Sequence, residues 1–132
     1  MDQTSPEKGG DLRLYTPDVK ARKIKREIRR LRQLLADIPA AQLKAAEGLI
    51  QEAAFMRLTL EEARYIIDQQ GVLENFEQGA QRFVREHPAT KVYGTMINRY
   101  TTVCKALADL VPGKTAGSAS PDELAAFLQG KR

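Results

Sequence analysis

The sequence predicts an all-α protein, a small helical bundle with a helix-turn-helix-like corner and a long C-terminal helix. Three observations carry this. Apolar residues recur at steps of three and four over several long stretches, the period of a helix with one buried face. Helix-start signals stand immediately before those stretches. Aromatic residues make up only 6% of the chain and Trp is absent, so the core must be built from Leu, Ile, Val, Met and Ala. The chain has 132 residues, enough for one domain with a real core.

The first helix is expected to open at Thr16-Pro17-Asp18. Thr16 can accept from free backbone N–H groups, Pro17 at the first helical position loses no hydrogen bond, and Asp18 sits at the positive end of the dipole. Ala21, Ile24, Ile28, Leu31, Leu35 and Ile38 then form one seam. Pro39 interrupts it and is expected to open a second helix reaching about Arg57, with a wide apolar face of Leu43, Ala46, Leu49, Ile50, Ala53, Ala54 and Met56. Gly48 inside that helix would be explained by a close helix crossing. Thr59-Leu60-Glu61-Glu62 has the form of a capping box, so a turn is expected at about Arg57 to Thr59, with a third helix carrying Leu60, Ala63, Ile66 and Ile67 inward as far as Gly71. That turn is the helix-turn-helix-like corner.

Residues 72–86 read as a loop with one helical turn, or as a partly helical segment, anchored by Val72, Leu73, Phe76 and Phe83. His87-Pro88 should start the last long helix, with Val92, Met96, Tyr100, Val103, Leu107 and Leu110 in one stripe, widened by Tyr93, Ile97 and Cys104. Four segments follow: a flexible arm over 1–15, a helical core over 16–112, a Gly/Ser/Ala linker over 113–119 and a short amphipathic helix over 120–132. The last bears Leu124, Phe127 and Leu128 and is too short to be stable alone, which suits a docking peptide.

Charge is unevenly spread. The net charge is +4, but residues 1–36 carry +5, residues 37–86 carry −4 and residues 87–132 carry +3. Eight cations crowd thirteen residues of the first helix: Lys20, Arg22, Lys23, Lys25, Arg26, Arg29, Arg30 and Arg32, with Glu27 the only acid among them. Phosphates attract such an array, and Arg binds their oxygens in bidentate fashion. No aromatic lies between Lys20 and Arg32, so duplex phosphates fit better than stacked single-stranded bases. The plainer alternative is a coiled-coil face that pairs with acidic helices of neighbouring copies.

Catalytic signals are missing. Gly113-Lys114-Thr115 lacks the earlier Gly of a phosphate-binding loop, since Ala108 occupies that place. His87 is the sole histidine and suits capping or surface duty. Cys104 falls on an apolar helix face and suits a buried thiol, while one cysteine allows no intrachain disulfide. Glu61 and Glu62 are adjacent on a helix and point about 100° apart. The chain is therefore expected to be a binding protein with no cofactor, no metal and no enzyme activity. No apolar run long enough for a membrane span and no signal-peptide pattern occur in the sequence.

The run Ala46-Glu47-Gly48-Leu49-Ile50-Gln51-Glu52-Ala53-Ala54-Phe55-Met56 with Thr59-Leu60-Glu61-Glu62 resembles the small terminase subunits of tailed bacteriophages and prophages. So do His87-Pro88-Ala89, Val92-Tyr93, Met96-Ile97, Tyr100 and Leu107 to Pro112. The resemblance spans roughly residues 20–112. It implies a helical homo-oligomer, ring-like in the best-known members. Such an oligomer binds double-stranded viral DNA and brings to it the large terminase subunit, which holds the ATPase and nuclease. It also implies a place in the cytoplasm of the bacterial host, outside the mature virion. On this reading Lys20 to Arg32 contact DNA. Leu43, Leu49, Ile50, Met56, Met96, Tyr100, Val103 and Leu107 are expected between copies. Leu124, Phe127 and Leu128 would dock the large subunit. A helix-turn-helix transcriptional regulator and a structural adaptor that binds no nucleic acid are the alternatives. A dimer on a palindromic site would mark the first, and absence of DNA affinity the second.

Overall fold

The computed structural model describes residues 12–111. The order of elements is α1 (Pro17–Leu34), α2 (Ala40–Ala45), α3 (Glu47–Gln70), β1 (Leu73–Gln78), β2 (Gln81–Glu86) and α4 (Pro88–Ala108). The described residues are mostly helical, with one two-stranded sheet among them.

α1 starts where its capping residues require. The Thr16 hydroxyl accepts from Val19 N at 3.3 Å, Pro17 occupies the first turn and Asp18 follows it. The apolar seam faces inward: Ile28, Leu31, Leu35 and Ile38 are buried. Residues 35–39 turn the chain, and Pro39 caps the short α2.

α3 departs from expectation. It runs for 24 residues without a break at Arg57 to Thr59, so the helix-turn-helix-like corner is absent there. No Gly or Pro lies between Ala53 and Gln70 to stop a helix. The Thr59/Glu62 pair does not cap; it anchors α1. Thr59 Oγ1 accepts from Lys20 Nζ at 2.9 Å, and Glu62 lies 2.6 Å from the same ammonium. The break falls earlier, at Ala46, so the expected second helix is split into α2 and the start of α3. Gly48 lies beside no close crossing: a Cβ there would meet nothing within 4 Å. Gly71, at φ 83°, ends α3 as expected.

Residues 72–86 form an antiparallel hairpin, neither loop nor helix. Glu74 pairs with Arg85, Phe76 with Phe83, and Gln78 with Gln81 across a two-residue turn at Gly79-Ala80. Gly79 takes φ 61°, the left-handed conformation that tight hairpin turns need. Strand alternation puts Glu74, Phe76, Phe83 and Arg85 on one face. The two rings lie 5.1 Å apart, Arg85 stacks 3.8 Å over Phe76, and Arg85 Nε donates to Glu74 at 2.6 Å.

At the hairpin base His87 ties α3 to α4. Its Nδ1 accepts from Ala89 N at 3.0 Å, capping α4, so its Nε2 carries the proton and donates to Gln70 Oε1. The ring is buried, which makes capping its duty and excludes the surface role. His87→Ala is expected to lower unfolding free energy by about 1–2 kcal/mol, the usual loss of a cap, with His87→Asn restoring part of it. Urea titration reads this directly, and an unchanged midpoint would show that the base does not depend on the cap.

Because the end of α3 meets the start of α4 at His87, the two helices run antiparallel. α1 is also antiparallel to α3. Its start reaches Thr59 and Glu62, and Arg32 near its end binds Glu47. The core lies among the three: Leu31, Leu35, Ile50, Cys104 and Leu107 are its fully buried large side chains. The buried stripe of α4 centres on Tyr100, Cys104, Leu107 and Ala108, rotated from the expected one, so that Val92 is left outside at 45% exposure. The end of the expected flexible arm is pinned, since Tyr15 donates to Glu61 Oε1 at 2.8 Å.

Candidate nucleic-acid interface

α1 separates the eight cations into two groups. Lys20 is held by Thr59 and Glu62 and sits 4.8 Å over the Phe55 ring. Arg30 grips Glu27 through Nε and Nη2, and Arg32 grips Glu47 in the same two-pronged way. Lys23 lies 5.1 Å over the Tyr15 ring. Lys20 and Arg32 fasten α1 to α3, Arg30 shields a carboxylate, and Lys23 packs on the segment before α1. Glu27, the one acid of the basic stretch, is buried.

Arg22, Lys25, Arg26 and Arg29 are different. All four are exposed and have no partner among the described residues. Their spacing puts them within about 100° of arc, on the side of α1 away from the apolar seam, over a length of about 10 Å. Four cations on so short a ridge repel one another at low ionic strength, and an anionic polymer relieves that repulsion. The ridge can bind phosphates without disturbing the core beneath it.

The residues expected between copies separate as well. Ile50, Met56, Tyr100 and Leu107 are buried by the chain's own helices, so their apolar surface is already covered within one protomer. Leu43, Met96 and Val103 are partly buried against the same core, and Leu49 is exposed. Other apolar side chains are exposed on the hairpin and on α4. Leu73, Phe83 and Val84 project from the hairpin at 49–59% exposure. Pro88, Val92 and Met96 line a shallow hollow of about 470 Å³ on the outer side of α4, between Lys91 and Arg99. Leu124, Phe127 and Leu128, the linker and Gly113-Lys114-Thr115 lie outside the described residues.

The titratable groups of the core are placed for packing. Cys104 is fully buried, and burial pushes its thiol up to about 11. Burial likewise pushes the neighbouring Tyr100 up to about 12. Both groups hold their protons more tightly folded than unfolded. The stabilisation is therefore complete below about pH 9 and is lost as pH rises through the folded values. The melting temperature should fall progressively between pH 9 and 12, and Cys104→Ala should remove the earliest part of that fall. A flat profile to pH 11 would contradict the burial of the thiol. Among the described residues no group of His, Cys, Asp and Glu has the arrangement of a metal site. No helix among them is long and apolar enough to cross a membrane.

No protein-family model, curated protein or solved structure matches this chain.

Two features of the surface escaped sequence reasoning. One is the hairpin, whose signal was the alternation of Glu74 with Phe76 before a Gly-Ala turn and of Phe83 with Arg85 after it. The other is the contribution of α3 to the basic side: Arg57 stands beside Lys23, Arg26 and Arg30 around one cleft. Only the packing of α3 against α1 brings these residues together.

Proposed function

We propose that this protein is a small terminase subunit, a homo-oligomer that binds double-stranded phage DNA and recruits and regulates the large ATPase-nuclease subunit in the host cytoplasm. The observation that carries the DNA role is the ridge of Arg22, Lys25, Arg26 and Arg29, exposed and unpaired among the described residues. The packaging role rests on the sequence resemblance over residues 46–62 and 87–112. Oligomer formation draws support from the apolar hairpin and the outer side of α4. An isolated two-stranded hairpin is only marginally stable in water, and neighbouring copies would cover Phe83 on one of its faces and Leu73 and Val84 on the other. The subunit itself is a recognition part with no enzyme activity on this reading, and its tail at Leu124, Phe127 and Leu128 docks the large subunit.

A structural adaptor is the second reading. It is favoured by the use of Lys20, Arg30 and Arg32 in contacts within the chain. A helix-turn-helix regulator loses the corner at Arg57 to Thr59 on which it rested.

The deciding experiment is light scattering on the purified protein, followed by duplex DNA titration at several salt concentrations. A closed assembly well above a dimer, with affinity falling by about 0.9 log units per phosphate contact for each decade of salt, supports the packaging reading. A dimer favours the regulator, and absence of binding at low salt leaves the adaptor.

A further inference from the structure

One cleft lies where α1 packs on α3, and it adjoins a second between α3 and α4 that shares Arg57 and Glu61. One, of about 270 Å³, is lined by Lys23, Arg26, Glu27, Arg30, Arg57 and Glu61. The other, of about 240 Å³, brings in Arg64 and Tyr100. In the first cleft four cations face two carboxylates, and both carboxylates are already engaged. Glu27 is gripped by Arg30. Glu61 accepts from Tyr15 and lies 3.8 Å from Arg57.

The cations are not all satisfied by this arrangement. Arg30 spends Nε and Nη2 on Glu27, while Nη1 is shielded from solvent with no hydrogen-bond partner. A shielded polar atom without a partner marks a place where a water or an ion completes the structure. Arg30 and Arg57 also face each other closely enough to repel. Like charges held together at partial burial cost free energy, and a bound anion offsets that cost. Arg26 has no partner among the described residues and belongs both to the cleft and to the exposed ridge. Arg22 and Arg29 each lie one turn of helix away from it.

We propose that the cleft is a phosphate-binding notch that seats one backbone phosphodiester of duplex DNA between Arg26, Arg30 and Arg57, while the ridge carries the neighbouring phosphates. The proposal rests on the DNA-binding reading and deepens it by adding a residue of α3 to the interface. Guanidinium forks suit this task because they present paired donors to two phosphate oxygens. Glu27 acts from behind as a positioning residue, fixing the plane of Arg30.

The test uses the full chain with its arginines labelled with nitrogen-15. Inorganic phosphate and pyrophosphate are titrated in, and the arginine Nε–H signals are followed by NMR. Saturable shifts confined to Arg26, Arg30 and Arg57 are expected, with Arg26→Gln and Arg57→Gln each weakening the effect. The Arg22→Gln/Arg29→Gln double variant should leave it intact. In the duplex titration each notch variant should lower the salt slope by at most about 0.9, the share of the one phosphate contact the notch makes, which is up to about eightfold in affinity at 0.1 M salt. Small, unsaturable shifts spread over all the exposed arginines would overturn the notch. Arg26→Gln, at an exposed position, keeps the test valid if Arg57→Gln fails to fold. Saturable phosphate binding by a chain with no affinity for DNA would overturn the DNA reading and leave an anion site. DNA binding with an unchanged slope in both variants would overturn the notch alone.

Discussion

Replacing Arg22, Lys25, Arg26 and Arg29 together by Gln should abolish most DNA affinity and leave the fold intact. Each cation that neutralises a phosphate releases counterions worth about 0.9 in the slope of log affinity against log salt. Four contacts therefore lower the slope by about 3.6, which at 0.1 M salt is on the order of a thousandfold in affinity. The fold should tolerate the change because the four side chains are exposed, have no partners among the described residues, and give way to a residue of similar helix propensity. The informative control is the opposite set. Neutralising Lys20 and Arg32 removes the contacts to Glu62 and Glu47, so it should reduce stability slightly and change the salt slope little. Equal losses of affinity from both sets, measured by fluorescence anisotropy across a salt series, would mean that total charge matters and the ridge does not. Full affinity in the quadruple variant would remove the DNA role of α1.

The difference between these two sets was not legible in the sequence. Spacing shows that Lys20 to Arg32 are basic and that Ile28, Leu31 and Leu35 point the other way. It cannot show that Glu62 reaches Lys20 across 42 positions, or that Glu47 reaches Arg32 across 15. What the sequence carried well was local chemistry: the Thr16-Pro17 start, the His87-Pro88 start, the Gly71 stop and the inward seam of α1. It failed where one local pattern serves two purposes. Thr59 and Glu62 have the spacing of a capping box, but the same spacing places two acceptors on one helix face, and α1 uses them that way. The hairpin was missed because strand alternation was interrupted by charged pairs, Glu74 with Arg85 and Glu77 with Arg82, which satisfy each other only after the strands meet. In the candidate site the α1 cations could be read directly. Arg57 could not, because nothing in the linear order places it beside Arg26.

The second large effect separates protomer from assembly. Leu107→Ala should lower unfolding free energy by about 2–5 kcal/mol, the range for truncating a fully buried Leu where the surroundings cannot close the gap. Leu107 has no exposed surface and packs in the cluster with Leu31, Ile50 and Cys104, contributed by all three long helices. The loss should not depend on protein concentration, because the contacts removed lie within one chain. Phe83→Ser on the hairpin should behave in the other way. Its ring is about half exposed in the protomer, so intrinsic stability changes little. If a second copy covers that ring, the variant weakens association, and its melting temperature falls most at high protein concentration and becomes less dependent on concentration than that of the wild type. Melting curves over a hundredfold concentration range distinguish the two directly. A concentration-dependent loss from Leu107→Ala would place that residue between copies after all. A Phe83→Ser variant with the concentration dependence of the wild type and unchanged assembly mass would mean that the hairpin faces a different partner, and oligomer formation would then have to rest on the hollow at Val92 and Met96.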